Sequence, residues 1–198
     1  MKRRAAAAVL PLVMFAVLLL LPAGQHEPGE AATYKVDPVH ACVWFRIKHL
    51  DVAYFYGRFN DIAGEFVLDE KDPGNSRIEV RVQAASIDTA NADRDKHLKS
   101  AELFDVEKFP QITFTSRSFK PAGADTYEVA GDLTFHGVKR PLTVKLEKTG
   151  AGKDPWGNYR VGLETTFTVK RSEFGMTAMP GALGEDVRLT VSVEGLRQ

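Results

Sequence analysis

The chain is nearly free of cysteine: Cys42 stands alone in 198 residues. No internal disulfide can form, so the fold must rest on its core. In an exported protein a lone thiol can pair with another chain or react. Cys42 reads more simply as a small buried apolar side chain. An excess of charge of either sign is also lacking, with 26 Lys and Arg against 26 Asp and Glu. The basic residues are spread through the chain. That leaves no electrostatic footprint for nucleic acid or for an anionic membrane. No CxxC, HExxH, phosphate-loop or GxSxG pattern is present, so no metal, redox or nucleophile motif announces an enzyme. There is no internal repeat and no low-complexity body segment.

One long apolar run is present, and it sits at the start. Lys2-Arg3-Arg4 precede an unbroken apolar stretch from Ala5 to Leu21, then Pro22-Ala23-Gly24 and a polar segment to Glu30. This is the layout of a secretory signal peptide. The run lies at the lower limit for a membrane span and contains Pro11, so an uncleaved anchor is the alternative. Gly29-Glu30-Ala31 fits a small-x-small cleavage site, and Leu21-Pro22-Ala23 is a poorer one. No cysteine stands at the end of the run, which excludes a bacterial lipoprotein. The expected division is a leader at 1–31 and one domain at 32–198. Removing Lys2, Arg3, Arg4, Glu27 and Glu30 leaves the domain a net charge of −1. The expected location is the bacterial periplasm or the cell exterior.

The body alternates apolar and polar residues almost throughout. Tyr34–Leu50 reads as a first strand, interrupted at Asp37-Pro38. Asp51–Tyr56 reads as an aromatic-rich connection. Gly57–Asp69 is a second strand with a break near Asn60-Asp61, and Arg77–Ile87 is a third. Gln111–Phe119, Tyr127–His136, Leu142–Leu146, Val161–Val169 and Val187–Glu194 complete eight. Turns fall at 71–75, 121–125, 136–140 and 150–158, and a long loop spans 171–186. One-sided alternation argues an antiparallel sheet with one wet face. Closing eight strands into an up-and-down barrel buries the dry face and removes both edges. A two-sheet sandwich is the alternative.

Between the third and fourth strands the alternation stops. Leu98, Ala101, Leu103 and Phe104 fall near helical spacing, with Asp93 or Asp95 as the expected cap and Pro110 as the stop. The predicted fold is therefore all-β, an eight-stranded antiparallel barrel with a helical insert after strand three.

An eight-stranded barrel either fills its interior with side chains or encloses one small ligand. Alternation cannot tell the two apart, because it gives the dry face and not how full it is. The candidate apolar lining is Val43, Phe45, Ile47, Phe66, Phe114, Tyr127, Phe135, Phe167 and Phe174. The four histidines of the body are His40, His49, His97 and His136, and no pair has zinc-site spacing. His49 shares the apolar parity of strand one and is the best inward polar contact. His136 beside Gly137 reads as a turn-fixing residue. Arg94, Asp95 and His97 lie in the insert, where they either meet a ligand at the barrel mouth or pin the insert down. Met176 and Met179 in the glycine-rich loop suit an apolar portal.

Four runs carry a resemblance: SIDT at 86–89, RDKHLKS at 94–100, LFDVEKFPQITFTS at 103–116 and GDLTFHGVKRPL at 131–142. With Arg171-x-x-Phe174-Gly175 they make the segment from Tyr34 to Glu194 similar to the YceI-like lipid/polyisoprenoid-binding proteins. The resemblance implies a lipocalin-like barrel holding an isoprenoid chain, a polyprenyl lipid or an isoprenoid quinone. It implies no covalent chemistry and no required cofactor beyond that bound ligand. A tail of several hundred Å² would gain on the order of 10 kcal/mol by burial, before ordering costs. One departure stands out: His40-Ala41 replaces the family's His-Ser. The expected partners are a small lipophilic ligand, transient contact with a membrane, and a second copy through the outer sheet face, with no nucleic acid. The rival readings are a hydrolase or isomerase on a lipophilic substrate, using His49 or Asp95 and His97, and a ligand-free structural or stress-response module.

Overall fold

The computed structural model describes residues 29–198, so the leader lies outside the described residues. Eleven strand segments follow: β1 Ala32–Val36, β2 Cys42–His49, β3 Ala53–Phe59, β4 Ile62–Leu68, β5 Arg77–Gln83, β6 Ile87–Asp88, β7 Gln111–Gly123, β8 Thr126–Phe135, β9 Val138–Lys153, β10 Tyr159–Lys170 and β11 Leu183–Arg197. The antiparallel order β1-β4-β5-β7-β8-β9-β10-β11 returns to β1, where Val36 sits opposite Gly195. Eight strands thus close into a barrel. The remaining segments continue the first three strands towards the other end, since β11 also pairs with β2, β2 with β3, and β3 with β6.

The three breaks have local causes. Pro38 cannot donate to a ladder, and its fixed φ suits the 3₁₀ turn Pro38–His40. The Asp37 side chain caps that turn by accepting from Val39 N at 3.0 Å. The breaks at 60–61 and 84–86 lie side by side. There Asn60 N donates to Ser86 O at 3.2 Å and Gln83 N to Asp61 O at 3.0 Å.

The expected connection at Asp51–Tyr56 is mostly strand. Only Leu50, Asp51 and Val52 make the turn, the first two with left-handed φ (50° and 54°), and β3 begins at Ala53. Tyr54 and Tyr56 face solvent, so the strand carries aromatics on its wet side. That hides its parity from the sequence. β9 runs on to Lys153 through the expected loop, because Gly150 pairs with Gly162. β11 starts at Leu183 with a register shift before Val187, which shortens the loop after β10.

The insert holds one helix, α1, at Ala92–Lys99. Its cap is Asn91, whose side chain accepts from Arg94 N at 3.0 Å. Asp93 and Asp95 sit instead in the first turn, where carboxylates suit the helix dipole. β5 and β7 pair up to Gln83 and Gln111 and then part. The insert fills the gap they leave. Phe104 packs between Phe59 of β3 and Phe135 of β8, with centroids 5.8 and 5.5 Å away.

The end opposite the insert is closed by side chains. Tyr34 and Phe66 stack at 5.0 Å, and Phe119 lies 6.1 Å from Tyr127. Phe66 fits because Gly195 has no Cβ, which would lie 2.4 Å from the ring. Around this plug, Arg160 bonds Asp37 and Asp154, each at 2.8 Å, and Glu194. Lys148 bonds Asp125 at 2.9 Å and Glu70.

Candidate functional site: an apolar cavity with one polar mouth

Above the plug the barrel encloses a cavity of about 440 Å³, within the usual range for small-molecule sites. The interior is therefore not simply filled core. Of the 34 residues in its wall, six carry polar side chains: His49, Thr89, Arg94, Thr113, Thr165 and Arg171. Among the described residues, no carboxylate and no lysine lines it.

Much of that polarity is spent within the protein. Thr165 Oγ1 donates to Lys145 O at 2.7 Å. Thr89 Oγ1 donates to Asp95 and accepts from Arg94 Nε at 2.8 Å. A second guanidinium nitrogen of Arg94 donates to Thr89 O at 2.7 Å. The same guanidinium carbon lies 4.3 Å from the centroid of Phe55, a cation–π arrangement at the mouth. Arg171 is buried and donates to four carbonyls: Met176 and Ala178 at 2.7 Å, Gly184 at 3.0 Å and Leu183 at 3.2 Å. It staples the loop after β10 to the start of β11. With Thr89, Thr165 and Arg171 bonded within the protein, the interior is apolar, and His49 and Arg94 are exposed at its opening.

The residues predicted from sequence separate by depth. Val43, Phe45, Ile47, Phe114, Phe135 and Phe167 line the cavity, as do His49 and Arg94. Phe66 and Tyr127 do not, because they belong to the packed plug. Phe174 is fully buried 5.4 Å from Phe135, behind the wall. Asp95 stands behind Thr89, accepting from its backbone N at 2.9 Å and from its hydroxyl. His97 points away and bonds Glu102 at 2.9 Å. So Asp95 and His97 pin the insert and form no joint acid–base pair at the cavity. His136 occupies the β8–β9 turn with φ 49°, and its Nδ1 bonds Phe174 O at 3.1 Å. Ala41, where the sequence departs from the family pattern, lies at the break between β1 and β2 and outside the cavity wall.

Sequence reasoning missed Phe55 and Phe59 of β3, and it left Leu98, Leu103 and Phe104 of the insert without a place in the wall. The shared parity of Phe55, Gly57 and Phe59 was the available signal. Met176 is buried in the wall, whereas Met179 is exposed on the loop.

Asp37, His40 and Glu194 bring ligand atoms within 4.8 Å of one another. Arg160 already bonds both carboxylates. Hydrogen bonds from His40 and then Arg160 hold the Asp37 carboxyl at about 2. The cluster is an ion-pair network whose cation is a side chain.

A closed eight-stranded barrel around an apolar cavity defines a lipocalin-like binding scaffold. Residues 34–195 match the YceI-like domain, and the chain belongs to that family. A UPF0312 protein of Pectobacterium atrosepticum is 44% identical over 189 residues, covering 94% of this chain and 96% of its own. A UPF0312 protein of Pseudomonas aeruginosa is 44% identical over 181 residues, covering 90% and 93%. Among solved structures, Burkholderia cenocepacia BcnA matches with a TM-score of 0.74 at 21% identity, over 80% of this chain and 98% of that one. The Campylobacter jejuni YceI protein matches at 0.69 and 27%, over 76% and 90%. A polyisoprenoid-binding domain from Saccharophagus degradans shares the fold at 0.65 and 13%, over 84% and 99%.

Proposed function

We propose that the chain is an exported carrier that holds an isoprenoid, a polyprenyl lipid or an isoprenoid quinone, inside its barrel for storage or transport. The observation that carries this reading is the 440 Å³ cavity with an almost wholly apolar wall, in which His49 and Arg94 are the exposed polar groups. An apolar wall stabilises a hydrocarbon tail by burial alone, and a few groups at the mouth suffice to orient a headgroup. The Saccharophagus relative, described as polyisoprenoid-binding, supports the ligand class. No covalent step is needed. The enzymatic alternative would use His49, which lines the cavity, or Asp95 with His97, which point elsewhere and form no pair there.

The test is native mass spectrometry of the protein purified from its own host, with solvent extraction of any bound species. A discrete adduct with a polyprenyl signature is the expected result. An apo mass that stays unchanged after delipidated protein is offered isoprenoid quinones would overturn the reading.

A further inference from the structure

The rim of the cavity carries large apolar residues that are exposed to solvent. The β2–β3 hairpin projects there: His49 lines the opening, and Leu50 N donates to Ala182 O at 2.8 Å, which ties the hairpin tip to the loop before β11. At that tip Leu50 is 56% and Val52 81% exposed, and Met179 on the adjoining loop is 37% exposed. Leu50 also holds φ at 50°, a conformation that asparagine or glycine adopts with less strain. A leucine kept both wet and strained calls for a partner outside the chain.

The outer face of the same hairpin continues the theme. Trp44, Tyr54 and Tyr56 are exposed there. Arg46 lies 4.1 Å and Lys48 5.1 Å from the Tyr54 ring centroid, and Arg58 lies 5.6 Å from that of Trp44. Most charges on this face are paired: Arg58 with Asp88, Lys48 with Asp51, Lys170 with Asp186. Two are not. Arg46 and Arg188 sit directly opposite each other across β2 and β11, and among the described residues neither has an ion-pair partner. The Nε of Arg46 is buried without an acceptor. Opposed like charges on neighbouring strands repel until an anion lies between them.

We infer that this hairpin face docks on the surface of a phospholipid bilayer, with Leu50, Val52 and Met179 entering the headgroup–acyl boundary. Arg46 and Arg188 then receive a lipid phosphate. The spacing fits. At about 3.4 Å per residue, Tyr54 lies about 7 Å and Tyr56 about 14 Å from Val52 along the strand, so a hairpin tilted onto the surface brings both rings, and Arg46 opposite Tyr56, to headgroup level. The balanced total charge conceals the feature, because pairing cancels every cation on the face but these two. Docking in this pose sets the cavity mouth against the lipid. The inference therefore builds on the carrier reading, and gives it a route for loading and release.

The experiment is flotation of the purified protein with phosphatidylethanolamine–phosphatidylglycerol vesicles, beside the rate of quinone transfer between two vesicle populations. Wild type should float. Val52→Asp and Leu50→Asn should each lower association about tenfold and slow transfer in step, and so should Arg46→Gln combined with Arg188→Gln. Leu50→Asn should melt no lower than wild type, since asparagine suits the left-handed turn; this separates lost docking from lost folding. Wild type that stays in solution, or variants that float equally well, would overturn the docking. Quinone retention of each variant in vesicle-free solution is read separately by native mass spectrometry. A protein that holds quinone but never floats keeps the carrier reading and loses the docking; one that floats but never holds quinone does the reverse.

Discussion

Arg160 Nη1 lies 2.8 Å from Asp37 Oδ2, across 123 residues of chain, and joins the end of β1 to the start of β10. It bonds Asp154 and Glu194 as well, so one guanidinium ties three acidic side chains around the barrel's closed end. Those bonds, with Asp154 foremost, hold its own pKa above the ordinary arginine value. Removing it leaves Asp37 and Glu194 close together without their shared cation. Arg160→Met should lower Tm by on the order of 5 °C while leaving quinone affinity unchanged, because the network lies beyond the plug. Thermal melting beside a binding titration checks both halves. Equal melting of the two proteins would remove this network from the account of closure.

The same network sets a pH dependence. Asp37 is held at about 2 by hydrogen bonds from His40 and Arg160. Burial pushes Asp154 up, but Arg160 and Asn158 outweigh it and bring it also to about 2. Both groups titrate near 3.8 without these partners. A depressed folded pKa means the unfolded chain binds protons first as pH falls. The stabilisation is therefore complete above about pH 4 and drains away as pH drops through 2. Wild-type Tm should fall steeply between pH 4 and pH 2, and Arg160→Met should show a shallower fall. Parallel Tm curves for the two proteins would contradict the assignment.

How much of this was legible beforehand depended on what alternation encodes. Ile78, Val80 and Val82 against Arg77, Glu79 and Arg81 revealed the dry face of β5, and repetition of that pattern implied eight strands and closure. Parity says nothing of depth along the axis. Phe45 and Phe66 look alike in sequence, yet one lines the cavity and the other plugs the end. β3 escaped because Tyr54 and Tyr56 make its wet face aromatic. The cap of α1 went to Asn91 over its acidic neighbours, since the capping position is fixed by where the chain turns into the helix. The carbonyl staple of Arg171 joins partners up to 13 residues away in a loop without periodicity, and nothing local marks it.

That staple leads to a third expectation. Replacing Arg171 by Met keeps the aliphatic stem but leaves the buried carbonyl of Met176 and the half-buried carbonyls of Ala178, Leu183 and Gly184 without their donor. Each such orphan costs about 1–3 kcal/mol, so a loss of about 3 kcal/mol is expected, with greater motion of the loop beside the mouth. Denaturant unfolding measures the first effect and the off-rate of a bound quinone the second. Arg171→Lys should not restore either, because one ammonium cannot reach four carbonyls arranged around a planar fork. Full rescue by lysine would show that charge alone, and not the fork, holds the loop.

The last expectation sets wall against plug. Leu189 faces the cavity from β11, opposite Phe45 on β2 and Phe167 on β10. Leu189→Trp places an indole in space the ligand would occupy, and it fills a void without displacing packed neighbours. Quinone affinity should fall at least tenfold, or about 1.4 kcal/mol, with Tm unchanged or higher. Phe66→Ala, at the closed end, should do the opposite. It opens a cavity in a fully packed site, costs about 3–5 kcal/mol of stability, and leaves the affinity of the folded fraction intact. Fluorescence titration with a quinone, beside urea unfolding of both variants, gives the four values needed. If Leu189→Trp bound quinone as wild type does, the tail would lie outside the barrel, and the apolar interior would need another occupant.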